Sequence, residues 1–200
     1  MMRKEKLRFV IADDEPLIRM DLREMLEEAG HEVAGEASDG REAIALARRL
    51  HPTCVLLDVK MPEIDGIAAA RIITREKLAP VILLTAFSDD RTVERANAAG
   101  VSAYLVKPVE EEQLFPAIEI ACARTRERRQ MEAELAELKT ALENRKLLDR
   151  AKGVLMDRCR LKEAEAFRRI QRRSMEERLP LEEVARAILR GEEKRENDYE

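Results

Sequence analysis

From Arg8 to about Ile120 short apolar runs alternate with helical patterns. RFVIA is followed by PLIRMDLREMLEEAG, EVAGEA by DGREAIALARRL, CVLLD by GIAAARIITREK, PVILLT by DDRTVERANAAG, and AYLV by EEEQLFPAIEIACA. Runs this short and apolar suit strands of a parallel sheet covered on both faces, and the helical stretches are long enough to be the crossovers that cover it. The pattern therefore predicts five βα units and an α/β, doubly wound, five-stranded parallel sheet. Gly30 and Gly100 stand where two of the helices need a left-handed cap.

Past Cys122 the strand signals vanish. In RTRERRQMEAELAELKTALENRK the residues Met131, Leu135, Leu138 and Leu142 recur at spacings of four, three and four, which is a heptad seam about two heptads long. It continues the last helix of the first domain and reads either as a solvated linker helix or as a two-chain coiled coil. From Leu147 to Arg190 three short helical patterns are divided by CRLKE and by RLPLEE, where Pro180 opens the final helix. The boundaries read as a domain over 7–123, a helical linker over 124–146, a small three-helix bundle over 147–190 and a flexible tail over 191–200.

Composition narrows the class. A chain of 200 residues, 45% of them hydrophobic, can bury a real core, whereas 39% charged and 3% aromatic residues predict helices with charge-covered outer faces. Cys54, Cys122 and Cys159 show neither close pairing nor a Cys-x-x-Cys spacing, so free thiols in a reducing cytoplasm are expected rather than a disulfide framework or a structural zinc site. The basic start MMRKEK leads only into LRFVIA, too short for a signal core or a membrane span.

Polar residues sit where the strands should end: Asp13 and Asp14 after the first, Asp58 after the third, Thr85 after the fourth and Lys107 after the fifth. Ligands of a doubly wound sheet bind at that carboxyl edge. If the strand order is flavodoxin-like, the first and third strands are neighbours and three carboxylates converge, a set that a hard cation such as Mg²⁺ would neutralise. Asp58 is then a candidate nucleophile toward a phosphoryl group, with Lys107 binding the phosphoryl oxygens. Each residue taken alone is more simply a turn or a cap; five at matching strand ends favour chemistry.

On these residues the segment from 8 to about 123 resembles a CheY-like response regulator receiver domain. The resemblance implies that Asp58 in LLDVKMPEIDG is the phosphoacceptor, that Asp13 and Asp14 in ADDE with Asp58 and the Lys60 main-chain carbonyl bind Mg²⁺, and that Thr85 and Tyr104 form a switch pair. It also implies a cis peptide bond at Lys107-Pro108 and a sensor histidine kinase as partner. Such a domain phosphorylates itself and releases no external product, so it is not read as an enzyme.

The segment from Lys139 to Arg190 has 15 Lys plus Arg against 9 Asp plus Glu, a balance of +6, while the whole chain is −4, leaving −10 for the remainder. A basic half next to an acidic half points to a polyanionic partner. Arg145, Lys146, Arg150 and Lys152 fall on neighbouring turns, and Arg168, Arg169, Arg172 and Arg173 recur at helical spacing. Ile170, Phe167 and Met175 are expected inward, with Phe167 in the core rather than stacked on a base.

AKGVLM (Ala151 to Met156), Ala166-Phe167 and LEEVA before the last helix resemble an ANTAR domain, the three-helix RNA-binding output of transcription antiterminators. Ala151 and Gly153 are small enough to admit a neighbouring helix or RNA backbone, and Lys152 is expected to project outward. Two positions depart from the resemblance. Arg160 stands where glycine is usual, so either it takes a left-handed conformation at a cost of about 1 kcal/mol or the turn differs, and Ser174 stands where alanine is usual. The whole arrangement resembles the PdtaR-, NasT- and AmiR-type regulators, the PdtaR-like branch above all because the acidic pocket is intact. The implied partners are RNA stem-loops in nascent transcripts and, when phosphorylated, a second copy of the chain. Two other outputs stay open: a DNA-binding helix-turn-helix variant, which CRLKE does not favour, and a protein-docking bundle, for which an apolar stripe rather than arginines is expected.

Overall fold

A computed structural model of the chain describes residues 6–86 and 90–191, without the side chains of residues 90 and 91. The expected tail lies, from residue 192 onward, outside the described residues. The chain divides into two compact units between Arg129 and Gln130. The first contains β1 (Arg8–Ala12), α1 (Pro16–Glu28), β2 (Glu32–Ala37), α2 (Gly40–Leu50), β3 (Cys54–Asp58), α3 (Gly66–Arg75), β4 (Val81–Thr85), α4 (Asp90–Ala98), β5 (Ala103–Val106) and the opening turns of α5 (Glu111–Cys159). All strands are parallel in the order β2-β1-β3-β4-β5. The five predicted βα units are present, and β1 and β3 are neighbours.

The two-residue period of a strand sorts each apolar run between two layers. Val10, Val55, Leu57, Val81 and Leu83 pack with Ala43, Ile44 and Ala47 of α2, Ile67 and Ile73 of α3, and Ala96 of α4. Phe9, Ile11, Leu56, Ile82 and Leu84 pack with Leu22 and Leu26 of α1 and with Leu114 and Ile118 of α5. Each such fully buried aliphatic side chain contributes about 1.5–3 kcal/mol relative to exposure. The strands are continuously apolar because helices cover both faces.

Helix ends follow local chemistry. Asp39 caps α2 by accepting the Glu42 N–H at 2.9 Å, and Asp65 caps α3 by accepting the Ala68 N–H at 2.7 Å. Gly30 and Gly100 adopt φ of +85° and +75°, the left-handed geometry expected of them.

In the second unit the end of α5, α6 (Glu163–Glu177) and α7 (Leu181–Arg190) enclose a core of Ala151, Leu155, Ala166, Ile170, Val184, Ala185 and Ile188. The Glu165 carboxylate accepts the Lys162 N–H at 2.9 Å and holds the start of α6. Pro180 caps α7 from just before its first turn. Arg160 is left-handed at φ 54°, the first of the two alternatives left open for it. The Ser174 hydroxyl donates to the Leu179 carbonyl at 2.6 Å and closes the C-terminal end of α6.

Three expectations for this unit are corrected. Phe167 is 36% exposed and Met175 77% exposed, and neither belongs to the core. The inward stripe of α6 is set by Ala166 and Ile170, and at about 100° per residue Phe167 falls on its edge and Met175 well outside it. Gly153 is not a point of helix contact, because a Cβ there would meet nothing within 4 Å. Lys152 does not project outward; its contacts are described below. The seam residues Met131, Leu135, Leu138 and Leu142 are all at least half exposed on α5.

Candidate functional site

Among the described residues the buried polar side chains are Asp13, Asp58 and Thr85, and each stands at the carboxyl end of a strand. Desolvating charge in this way is unfavourable unless the charges are paired. Lys107, just past β5, provides the pairing: its Nζ lies 2.7 Å from Asp13 Oδ2 and 2.5 Å from Asp58 Oδ1. Burial pushes the Asp58 carboxyl above its ordinary range, outweighing the opposing pull of Lys107. For Lys107 burial acts to lower the ammonium pKa, but its bonds to Asp13 and Asp58 outweigh burial and raise it.

The backbone fixes these groups. The Lys60 N–H donates to Asp58 Oδ2 at 2.6 Å, the Val59 N–H to the Leu84 carbonyl at 2.9 Å, and the Gly66 N–H to the Val59 carbonyl at 2.9 Å. The start of α3 lies so close to the end of β3 that a Cβ on Gly66 would stand 1.8 Å from the Asp58 main-chain oxygen. On the other side Arg19 Nη1 donates to the Asp13 carbonyl at 2.6 Å, while Arg19 and Arg23 both engage Glu36 of β2. The Lys107 N–H donates to the Thr85 carbonyl at 2.8 Å, and the Lys107-Pro108 bond is cis.

Carboxylate oxygens of Asp13, Asp14 and Glu15 lie within 4.8 Å of one another. An oxygen-only donor set of this charge fits a hard divalent cation. Asp13 and Asp14 are expected from the sequence and Glu15 is not, although it is the third acid of ADDE; its N–H donates to Asp13 Oδ1 at 3.0 Å at the entry to α1. Asp58 is joined to the cluster through Lys107. Lys60 is exposed, and its backbone is tied to Asp58. Beside Thr85 a small recess is lined by Val59, Leu83, Thr85, Thr92, Val93, Ala96 and Tyr104, and Tyr104 of β5 is 42% exposed.

The basic residues singled out in the second unit divide into two sets. Lys152 Nζ lies 2.8 Å from Asp149 and 2.7 Å from Glu163, tying α5 to α6, and these carboxylates raise its pKa, Asp149 foremost. Arg173 pairs with Glu177 at 3.0 Å, and Arg169 Nη1 approaches Cys159 Sγ at 3.8 Å. Arg145, Lys146, Arg150, Arg168 and Arg172 are exposed. Cationic surface is thus present, carried by fewer residues than the sequence offers.

Comparison with known proteins matches both units. Residues 9–119 match the response regulator receiver domain and residues 136–189 the ANTAR domain. The chain is 50% identical over 182 residues, 91% of its length and 89% of the relative's, to the transcriptional regulatory protein PdtaR of Mycobacterium tuberculosis. It is 37% identical over 112 residues to the chemotaxis protein CheY of Thermotoga maritima, covering 56% of this chain and 93% of that protein. Among solved structures, the receiver domain of a modulated diguanylate cyclase from Desulfovibrio desulfuricans G20 superposes with a TM-score of 0.58 at 30% identity, covering 61% of this chain and 98% of that one. The receiver domain of the putative response regulator NarL from Mycobacterium tuberculosis gives 0.57 at 30% identity, covering 60% and 98%. Sheet order, acidic pocket and both domain matches place the chain in the family of response regulators that join a receiver domain to a C-terminal ANTAR domain, an RNA-binding antitermination output.

Proposed function

We propose that Asp58 accepts a phosphoryl group from a sensor histidine kinase and that this event governs RNA binding by the ANTAR module. The observation that carries the reading is the Lys107 ammonium held between Asp13 and Asp58 at the sheet edge. An Asp58 carboxylate oxygen attacks phosphorus; the new P–O bond forms as the P–N bond of the phosphohistidine breaks, and the departing imidazole nitrogen keeps the bonding pair and takes a proton. Lys107 turns from Asp58 to the phosphoryl oxygens and stabilises their charge, while Lys60 and Gly66 hold the nucleophile in place.

Asp13, Asp14 and Asp58 with the Lys60 main-chain carbonyl would hold Mg²⁺, and Glu15 lies near enough to contribute. When bound, Mg²⁺ neutralises charge on the transferring oxygens. The Thr85 hydroxyl then follows the phosphoryl group, and the Tyr104 ring moves into the recess beside it. The chain acts on itself rather than on an external substrate. The exposed Met131, Leu135, Leu138 and Leu142 stripe pairs with a second copy after phosphorylation, since a seam this short is decided by a bias of about 1–3 kcal/mol. Among the described residues no helix is long and apolar enough to cross a membrane, which agrees with a cytoplasmic regulator.

Intact-mass measurement after treatment with a small phosphodonor and Mg²⁺ tests the reading. A single phosphate adduct, absent from Asp58→Asn and reduced without Mg²⁺, is expected. Equal labelling of Asp58→Asn overturns it.

A further inference from the structure

The outer face of α6 combines features that a solvated helix does not need. Ala166 and Ile170 turn into the module's core, and Arg173 and Glu177 pair with each other near the end of the helix. Helical geometry then places Phe167, Arg168, Arg172 and Met175 on one exposed surface, with the half-buried Gln171 among them. Arg168 and Arg172 form no ion pair or hydrogen bond among the described residues. Of the four carboxylates of α6, Glu163 is held by Lys152, Glu165 by the Lys162 N–H and Glu177 by Arg173, which leaves Glu176, one turn beyond Arg172, as the acid next to this face.

Phe167 is one of only four phenylalanines in the chain, in a sequence with no tryptophan, and it stays outside the core although its neighbour Ala166 is fully buried. A partly exposed aromatic ring at the edge of a helix face that also carries unpaired guanidinium groups is suited to an unpaired base, whose π-face it stacks on while the arginines take the flanking phosphates. A protein partner would find this apolar area broken by two arginine charges that form no ion pair. A fully paired helix would give the ring nothing to stack on. Lys152 is engaged by two exposed carboxylates, Asp149 and Glu163, and is not counted in the contact set.

We propose that Phe167 is a base-stacking residue for an unpaired nucleotide in the loop of an RNA hairpin, with Arg168 and Arg172 on the adjacent phosphates. The proposal rests on the RNA-binding reading of the module and adds which residue reads the loop. Full-length protein is titrated with three synthetic RNAs at matched salt: a hairpin with a purine-containing loop, the same hairpin with abasic loop positions, and the stem closed as a plain duplex.

Wild type is expected to prefer the intact hairpin, and Phe167→Leu to weaken that binding about tenfold, in the range of one lost stack. Phe167→Tyr should restore it. The abasic hairpin should bind wild type and Phe167→Leu alike, which removes the stack from the RNA side without any change in the protein. Phe167→Leu should leave the slope of log affinity against log salt unchanged, while Arg172→Ala should reduce it by about 1. If Phe167→Leu keeps the wild-type preference for the intact loop, or loses the same factor on the abasic hairpin, the stacking assignment is overturned and RNA binding stands. If wild type binds none of the three RNAs, the reading beneath it falls as well.

Discussion

Lys107 and Lys152 are each held by two carboxylates, and the two lysines do different work. The partners of Lys107 are Asp13 and Asp58, both buried, so the ammonium is what makes two desolvated charges tolerable at the sheet edge. The partners of Lys152 are Asp149 and Glu163, whose side chains are 55% and 69% exposed, where water and salt screen the attraction. The same three charges make a reactive site in one unit and a local tie between helices in the other. Burial, more than the pairing itself, separates them.

That contrast predicts the largest effect. Lys107→Met leaves Asp13 and Asp58 buried without their cation and should cost about 3–5 kcal/mol of receiver stability by urea unfolding in the absence of Mg²⁺, with the acyl phosphate lost. Lys152→Met should leave the unfolding midpoint within measurement error, because its carboxylates return to solvent. Comparable losses at the two sites would erase the distinction.

Two glycines sharpen it. Gly66→Ala drives a Cβ into the Asp58 carbonyl and should destabilise the receiver by about 1–3 kcal/mol while displacing the nucleophile from its place. Gly153→Ala adds its Cβ to open space within α5 and should stabilise the second unit by about 1 kcal/mol, read as a higher unfolding midpoint. If Gly153→Ala gains stability yet loses RNA affinity, the glycine is there for the RNA backbone.

The smallest effect is in pH. Because burial raises the Asp58 pKa on folding, the folded state holds its proton longer than the unfolded state does, so this carboxyl reduces stability as pH rises from its ordinary range through its raised value. The stability of Asp58→Asn minus that of wild type should therefore grow across that window and be flat above it. A difference that shrinks with rising pH would mean that Lys107 dominates burial.

How much of this was legible in the sequence follows the same division. Continuous apolar runs such as CVLLD and VILLT, bounded by polar strand ends, specify a doubly wound sheet and bring Asp13, Asp58, Thr85 and Lys107 to one edge, since few arrangements bury such runs. Glu15 was missed because one more acid at a helix entry looks like a dipole partner. Phe167 was misread because a lone phenylalanine among aliphatics is ordinarily core, and only the register set by Ala166 and Ile170 shows that it lies at the edge. Lys152 was misread because Glu163 lies eleven residues away across a turn. Surface contacts of that kind have no periodic signature, whereas buried ones do.

If the proposed function holds, chemistry at Asp58 controls the arginine-bearing module. The decisive measurement is hairpin RNA affinity with and without phosphodonor and Mg²⁺, for wild type and Asp58→Asn in parallel. A severalfold or greater gain on phosphodonor treatment is expected in wild type alone, in line with a coupling of about 1–3 kcal/mol. Equal affinity for phosphorylated and unphosphorylated wild type, or the same gain in Asp58→Asn, would contradict it.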